Sequence, residues 1–172
     1  LWDWQIQGTC RGVDSSAFFH PDGERGRARA QREMRAKQIQ LELKLPAALH
    51  APVRQTEIQQ VILNLTKNGL DAMRDLPKTS RFLQIKAGLN ETTNRVMFEV
   101  IDSGHGISEE VKKSLFKPFF TTKKGTEGTG LGLSITHDII KAHSGSLEID
   151  TQLGEWTRFT ITLPKTNTPQ IP

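Results

Sequence analysis

One cysteine, Cys10, is all that the 172 residues contain, which excludes an internal disulfide and a cysteine-built metal cage and agrees with a reducing compartment. Apolar runs are short. None approaches the roughly 20 residues that cross a bilayer, and Leu1 opens no recognisable secretion signal, so a cytoplasmic location is expected. No G-x-x-x-x-G-K-[ST] occurs anywhere, so a phosphate site cannot be of the P-loop kind. The histidines at 20, 50, 137 and 143 are too scattered for a metal site.

Charge is modest, and its distribution matters more than its sum. The net value is +4. Between Glu24 and Lys37 stand Arg25, Arg27, Arg29, Arg32, Arg35 and Lys37 against only Glu24 and Glu33, so this stretch carries the whole excess. Its Arg, Ala, Gln, Glu and Met content suits a helix with a solvated face, and no specific nucleic-acid binding is expected from it. A hydrophobic fraction of 35% with 24% charged residues describes a folded domain rather than a disordered chain.

The apolar periods then divide the chain. Ile39, Leu41, Leu43 and Leu45 alternate with polar residues as a half-buried strand does. From Gln55 to Leu76 the period becomes helical, with Ile58, Val61, Ile62, Leu65, Ala72, Met73 and Leu76 on one stripe, and Pro77 ends it. Strands follow at 81–88 and 96–101, joined by a polar turn as a hairpin. A short helix is expected at 108–116, a Gly- and Thr-rich loop at 117–130, a helix at 131–143 and two last strands at 146–151 and 157–163. Short turns between adjacent strands favour hairpins. The expected fold is therefore an α+β two-layer sandwich, with a mixed, mostly antiparallel sheet and about three helices on one face.

Three stretches carry chemistry. Asn64, Asn68 and Asp71 are spaced four and three apart, which puts them on one helix face about a quarter turn from the apolar stripe. Asparagine carbonyls at a groove rim suit a hard cation such as Mg²⁺; the plainer reading is a solvated helix face. Asp102, after Val100 and Ile101, should stand at a pocket floor, where a carboxylate can accept from an exocyclic amine. Gly104 and Gly106, before Ile107, allow backbone to approach a flat ring; an ordinary Asp-Gly turn is the alternative. Finally Phe119-Phe120-Thr121-Thr122-Lys123 leads to Gly128-Thr129-Gly130-Leu131-Gly132-Leu133. Glycines running into a helix N-terminus can form an anion site, to which Lys123 could add a mobile charge.

Taken together, in this order and spacing, these residues resemble a family: the ATP-binding catalytic domain of sensor histidine kinases, from the superfamily shared with gyrase, chaperone and mismatch-repair ATPases. Residues 64–72 (Asn-Leu-Thr-Lys-Asn-Gly-Leu-Asp-Ala) resemble its N box, 102–107 its G1 box, 115–123 its F box, 128–133 its G2 box and 154–159 its terminal box. The resemblance covers about 38–165. It implies that Asn68 coordinates Mg²⁺ with support from Asn64, and that Asp102 reads the adenine amine beside Gly104 and Gly106. Thr122 and Lys123 would lie at the ATP lid and Gly130 and Gly132 near the phosphates, with Phe119 and Phe120 anchoring the lid. Related ATPases that hydrolyse ATP place a glutamate where Asn64 stands. An asparagine cannot act as a base at neutral pH, so transfer to a histidine is favoured over hydrolysis.

Several residues depart from the family pattern. Gly69 stands for the usual alanine, Ser144 for the first glycine of a Gly-Gly pair, and Trp156 for a glycine whose replacement would strain a turn needing positive φ. Residues 1–37 are too short for the two-helix hairpin that carries an acceptor histidine, and Pro21 disfavours helix at His20. The opening Leu1-Trp2-Asp3-Trp4 resembles the first strand of a PAS domain. The expected organisation is an N-terminal extension (1–37, an upstream sensory or linker remnant), an ATP-binding domain (38–165) and a polar tail (166–172). The expected partners are ATP, a separate histidine-bearing hairpin and a response-regulator receiver domain. An anti-sigma-factor-type serine kinase and a non-catalytic nucleotide-dependent module remain the alternatives on the same fold.

Overall fold

The computed structural model describes residues 40–44, 51, 53–77, 80–123 and 128–165. The basic helix expected at 24–37, the PAS-like opening, Cys10, His20, His50 and the tail from 166 lie outside the described residues.

Five strands form one sheet in the order β1-β2-β3-β5-β4. They are β1 (Gln40–Lys44), β2 (Phe82–Asn90), β3 (Arg95–Asp102), β4 (Ser146–Gln152) and β5 (Trp156–Pro164). Only β1 and β2 run parallel, in register Gln40↔Phe82 to Lys44↔Lys86, and the long helix α1 (Gln55–Ala72) makes that crossover. The other neighbours are antiparallel, as residues 91–94 and 153–155 form tight turns. The sheet is therefore mixed and mostly antiparallel.

Alternation decides which face is covered. Along β3, Val96, Phe98, Val100 and Asp102 are buried; along β5, Thr157, Phe159, Ile161 and Leu163 are. Their alternates are half-exposed. α1 packs on β2 and β3, and α3 (Gly132–Ala142) packs on α1 and β4, closing a core that includes Val61, Ile62, Leu65, Met73 and Ile140. Truncating Ile62, Leu65, Met73 or Ile140 to alanine costs about 2–5 kcal/mol.

Two helices are shorter than the sequence period suggests. Regular α-helix in α1 stops at Ala72, and the chain turns on through Leu76 with Arg74 N–H on Asp71 O and Leu76 N–H on Met73 O. Beyond the helix, the Arg81 guanidinium holds this turn, donating to the carbonyls of Arg74 (2.6 Å) and Leu76 (2.8 and 3.0 Å). The helix expected at 108–116 is regular only over Glu109–Lys112 (α2), capped by the Ser108 hydroxyl, and continues as turns to Phe116.

At the end of α3, Ser144 N–H reaches Lys141 O and Gly145 N–H reaches Ile140 O, both at 2.9 Å: a Schellman motif. Its left-handed position is held by Ser144 (φ 54). The strain anticipated at Trp156 does not arise. Trp156 begins β5, and the positive φ of that turn falls on Gly154. His143, buried, locks the same end to the start of α1: its Nδ1–H donates to Ile139 O and its Nε2 accepts the Arg54 N–H at 2.9 Å.

Candidate functional site

A cleft of about 630 Å³ opens between α1, the end of β3 and the segment leading into α3. Asn64, Asn68 and Asp71 reach it from α1, and Asp102, Gly106 and Ile107 from the β3 end. Thr122, Lys123, Gly128, Thr129, Gly130, Gly132 and Leu133 line the remaining side. Two residues of the expected set stand back from the wall. Gly104 is buried behind Asp102 with no room for a side chain, its Cβ position 2.6 Å from the Ala72 Cβ. Leu131 precedes α3, its N–H 3.4 Å from the Thr129 hydroxyl.

Asp102 is 3% exposed. Oδ1 accepts the Gly104 N–H at 2.9 Å. Burial, partly offset by that bond and by the nearby His105, pushes its carboxyl up to about 6, so at neutral pH it remains an ionised acceptor in a desolvated place. Gly69 explains how α1 comes so close: a Cβ there would sit 3.0 Å from the Asp102 Cβ and 3.2 Å from Leu83. The helix propensity lost at Gly69 is exchanged for a close helix–strand approach. The loop after Asp102 is held from the other side, where Gly154 N–H donates to His105 O (2.7 Å) and Ile107 N–H to the Thr151 hydroxyl (3.0 Å). Gly106, at φ +66, presses its α-carbon side against Gln152 O, where any Cβ would collide at 2.2 Å.

On α1 the three polar residues differ in their commitments. The Asn64 amide donates to Gly132 O (3.1 Å) and the Thr136 hydroxyl (3.3 Å), fixing the first turn of α3 against α1. A carboxylate there would face the Gly132 carbonyl, acceptor against acceptor. The Asn68 side chain, half-buried on the cleft wall, bonds to no other described residue. Asp71 is tied up: Lys123 Nζ stands 2.5 Å from its Oδ2 and Arg74 3.4 Å from its Oδ1. Burial works to raise the Asp71 carboxyl, but Lys123 and then Arg74 outweigh it and hold it below the ordinary carboxylate range.

The glycines before α3 do place backbone at the cleft. Gly130 has φ +66, and a Cβ would lie 2.3 Å from the Phe119 carbonyl carbon, so the two loop strands touch main chain to main chain. Phe119 itself departs from its expected role. It was expected to anchor the loop by packing, yet it has φ 64 and is 75% exposed; Phe120 alone turns into the cleft. Phe116 stacks on His137 of α3 instead, ring centres 5.0 Å apart. Several wall residues went unforeseen, among them Lys67, Leu153, Thr157 and Phe159. Thr157 pairs in register with Asp102 across β3 and β5, which inward alternation along the last strand could have revealed.

A buried carboxylate, an unengaged asparagine and a glycine-led helix start facing one cleft on a two-layer sandwich describe a nucleotide-binding class of fold. Comparison with known proteins agrees. Residues 53–167 match the family described as Histidine kinase-, DNA gyrase B-, and HSP90-like ATPase. The nucleotide-free catalytic domain of histidine kinase ThkA superposes with a TM-score of 0.67 at 32% identity, covering 81% of this chain and 87% of that one. The C4-dicarboxylate transport sensor protein DctS of Rhodobacter capsulatus is 44% identical over 107 residues, 62% of this chain but 16% of that protein. The chain thus spans only about one sixth of that sensor's length. The chain belongs to this ATPase family and carries the ATP-binding catalytic domain of sensor histidine kinases. A 39-residue match, 23% of the chain, is 82% identical to the redox-responsive transcriptional regulator WhiB3 of Mycolicibacterium smegmatis and covers 41% of it, too little to bear on the ATPase fold. Among the described residues no helix is long and apolar enough to cross a membrane.

Proposed function

We propose that the cleft holds Mg-ATP for transfer of the γ-phosphoryl group to a histidine on a separate dimerisation hairpin, from which a response-regulator receiver domain would take it. The observation that carries this reading is the convergence of Asn68 and Asp102 on one cleft, the first unengaged and the second buried and charged. Asp102 would accept the adenine amine, with Gly104 setting its orientation and Gly106 and Ile107 beside the ring. Gly128, Thr129, Gly130, Leu131, Gly132 and Leu133 would bring the α3 N-terminus to the phosphates, with Thr122 and Lys123 at the loop's other stem.

The donor set fits Mg²⁺. Among the described residues no group of three or more His, Cys, Asp or Glu could enclose a metal. An ion held mainly by water and phosphate oxygens needs only one or two protein oxygens, and Asn68 supplies one. When bound, the ion neutralises charge on the phosphate oxygens. Asn64 provides no base. Its amide is spent on orienting α3, which supports phosphoryl transfer to a nucleophile brought by another domain rather than activation of water.

Titration with ATP and Mg²⁺ tests this directly. Wild type is expected to bind and Asn68→Ala to bind at least tenfold more weakly; equal binding by both refutes the role of Asn68. Alone, the chain is expected to show little autophosphorylation. Mixed with a histidine-bearing hairpin it should yield an acid-labile phosphate. An acid-stable phosphate on a partner would favour the serine-kinase alternative, and no transfer at all a nucleotide-dependent interaction module.

A further inference from the structure

We infer that Asp71 holds Lys123 in the nucleotide-free cleft and that a nucleoside triphosphate takes the lysine from it, so that this pair sets the site's preference for ATP over ADP. The inference rests on the nucleotide reading above. Lys123 Nζ lies 2.5 Å from Asp71 Oδ2, a contact spanning 52 residues of sequence, and both side chains line the cleft. The ion pair is 30% and 20% exposed, so it is sheltered enough to compete with an incoming anion.

Three features make the lysine transferable. Its main chain is held independently, by its own N–H on the Thr121 hydroxyl at 3.1 Å, so only the side chain has to swing. The ammonium is a point charge on a flexible stem, which tolerates exchanging one oxygen acceptor for another. Asp71 also keeps a cation when Lys123 leaves, because Arg74 lies 3.4 Å from its other oxygen. A half-buried carboxylate is therefore not orphaned by the exchange. ATP offers one more phosphoryl group than ADP to draw the lysine away, and AMP offers least.

Binding of ATP, ADP and AMP to wild type, Asp71→Asn, Lys123→Met and the double variant tests the exchange. Asp71→Asn is expected to tighten ATP roughly 3- to 10-fold, the scale of a partly sheltered ion pair. ADP should gain less and AMP not at all, and Asp71→Glu should retain the wild-type preference. In the Lys123→Met background most of the gain should vanish, which separates release of the lysine from simple removal of a negative charge near the phosphates. An equal gain in both backgrounds, an unchanged ATP-to-ADP ratio, or weakened ATP binding by Asp71→Asn (making Asp71 itself a ligand) each overturns the inference. Wild type failing to bind any of the three nucleotides would instead sink the nucleotide reading, and the inference with it.

Discussion

Replacing Asp102 by asparagine should move stability and binding in opposite directions. The wild-type carboxyl is raised by burial from 3.8 to about 6, which means the ionised form is disfavoured in the folded chain. That rise corresponds to roughly 3 kcal/mol of stability withheld once the group is ionised in both states. The sign follows from proton binding. Between about pH 4 and 6 the folded state retains a proton that the unfolded state has released, so raising the pH through this window destabilises the wild type. Asparagine keeps an oxygen for the Gly104 N–H and has no charge to desolvate. The asparagine variant should therefore match wild type near pH 4, gain through the window and level off above pH 6 at an advantage of up to about 3 kcal/mol. Urea unfolding followed by far-UV circular dichroism from pH 4 to 8 measures this. The same variant should lose roughly 10- to 100-fold in ATP affinity, the worth of a charge-assisted hydrogen bond to the base amine. A variant no more stable than wild type at pH 7.5, or one whose advantage does not shrink toward pH 4, would refute the account of Asp102 as a buried, strained acceptor.

Other substitutions probe the frame around the cleft. Ser144→Gly should stabilise the domain by about 1 kcal/mol, because a left-handed residue in the Schellman motif loses its Cβ penalty; no rise in urea midpoint would count against that geometry. Thr66, 3% exposed, has a hydroxyl with no hydrogen-bond partner among the described residues. Thr66→Val should be stabilising by about 1 kcal/mol, and a clear loss in the same unfolding assay would mean the hydroxyl is satisfied after all. Gly130→Ala should weaken ATP binding more than AMP binding in calorimetric titration, since the new methyl collides with Phe119 main chain and displaces the start of α3. Equal loss on both nucleotides would place the damage elsewhere.

Local pattern was enough for the strands and helices, whereas the reading of the cleft came from the order and spacing of motifs that resemble a family. Period-two alternation marked 39–45 as a one-sided strand, and period 3.6 with a 4-and-3 polar spacing placed Asn64, Asn68 and Asp71 on one helix face. Both periods are properties of the backbone, so a single sequence exposes them. Helix ends were less legible. The apolar stripe runs on to Leu76, yet regular helix stops at Ala72 and the chain continues in turns that Arg81 holds from 5 to 7 residues away.

What the amino-acid order by itself indicated was that Asn64, Asn68, Asp71, Asp102 and Lys123 share one cleft; it did not mark Lys67, Leu153, Thr157 or Phe159 as wall residues. What only the tertiary structure decided was the state of each group on arrival. Asn64 is consumed by Gly132 and Thr136, Asp71 by Lys123, and Asp102 is charged but desolvated beneath Gly69. Phe119 is exposed, with its main chain close against Gly130. Most of these outcomes depend on atoms separated by dozens of residues along the chain, and burial and ion pairing are sums over such neighbours. No local spacing encodes them.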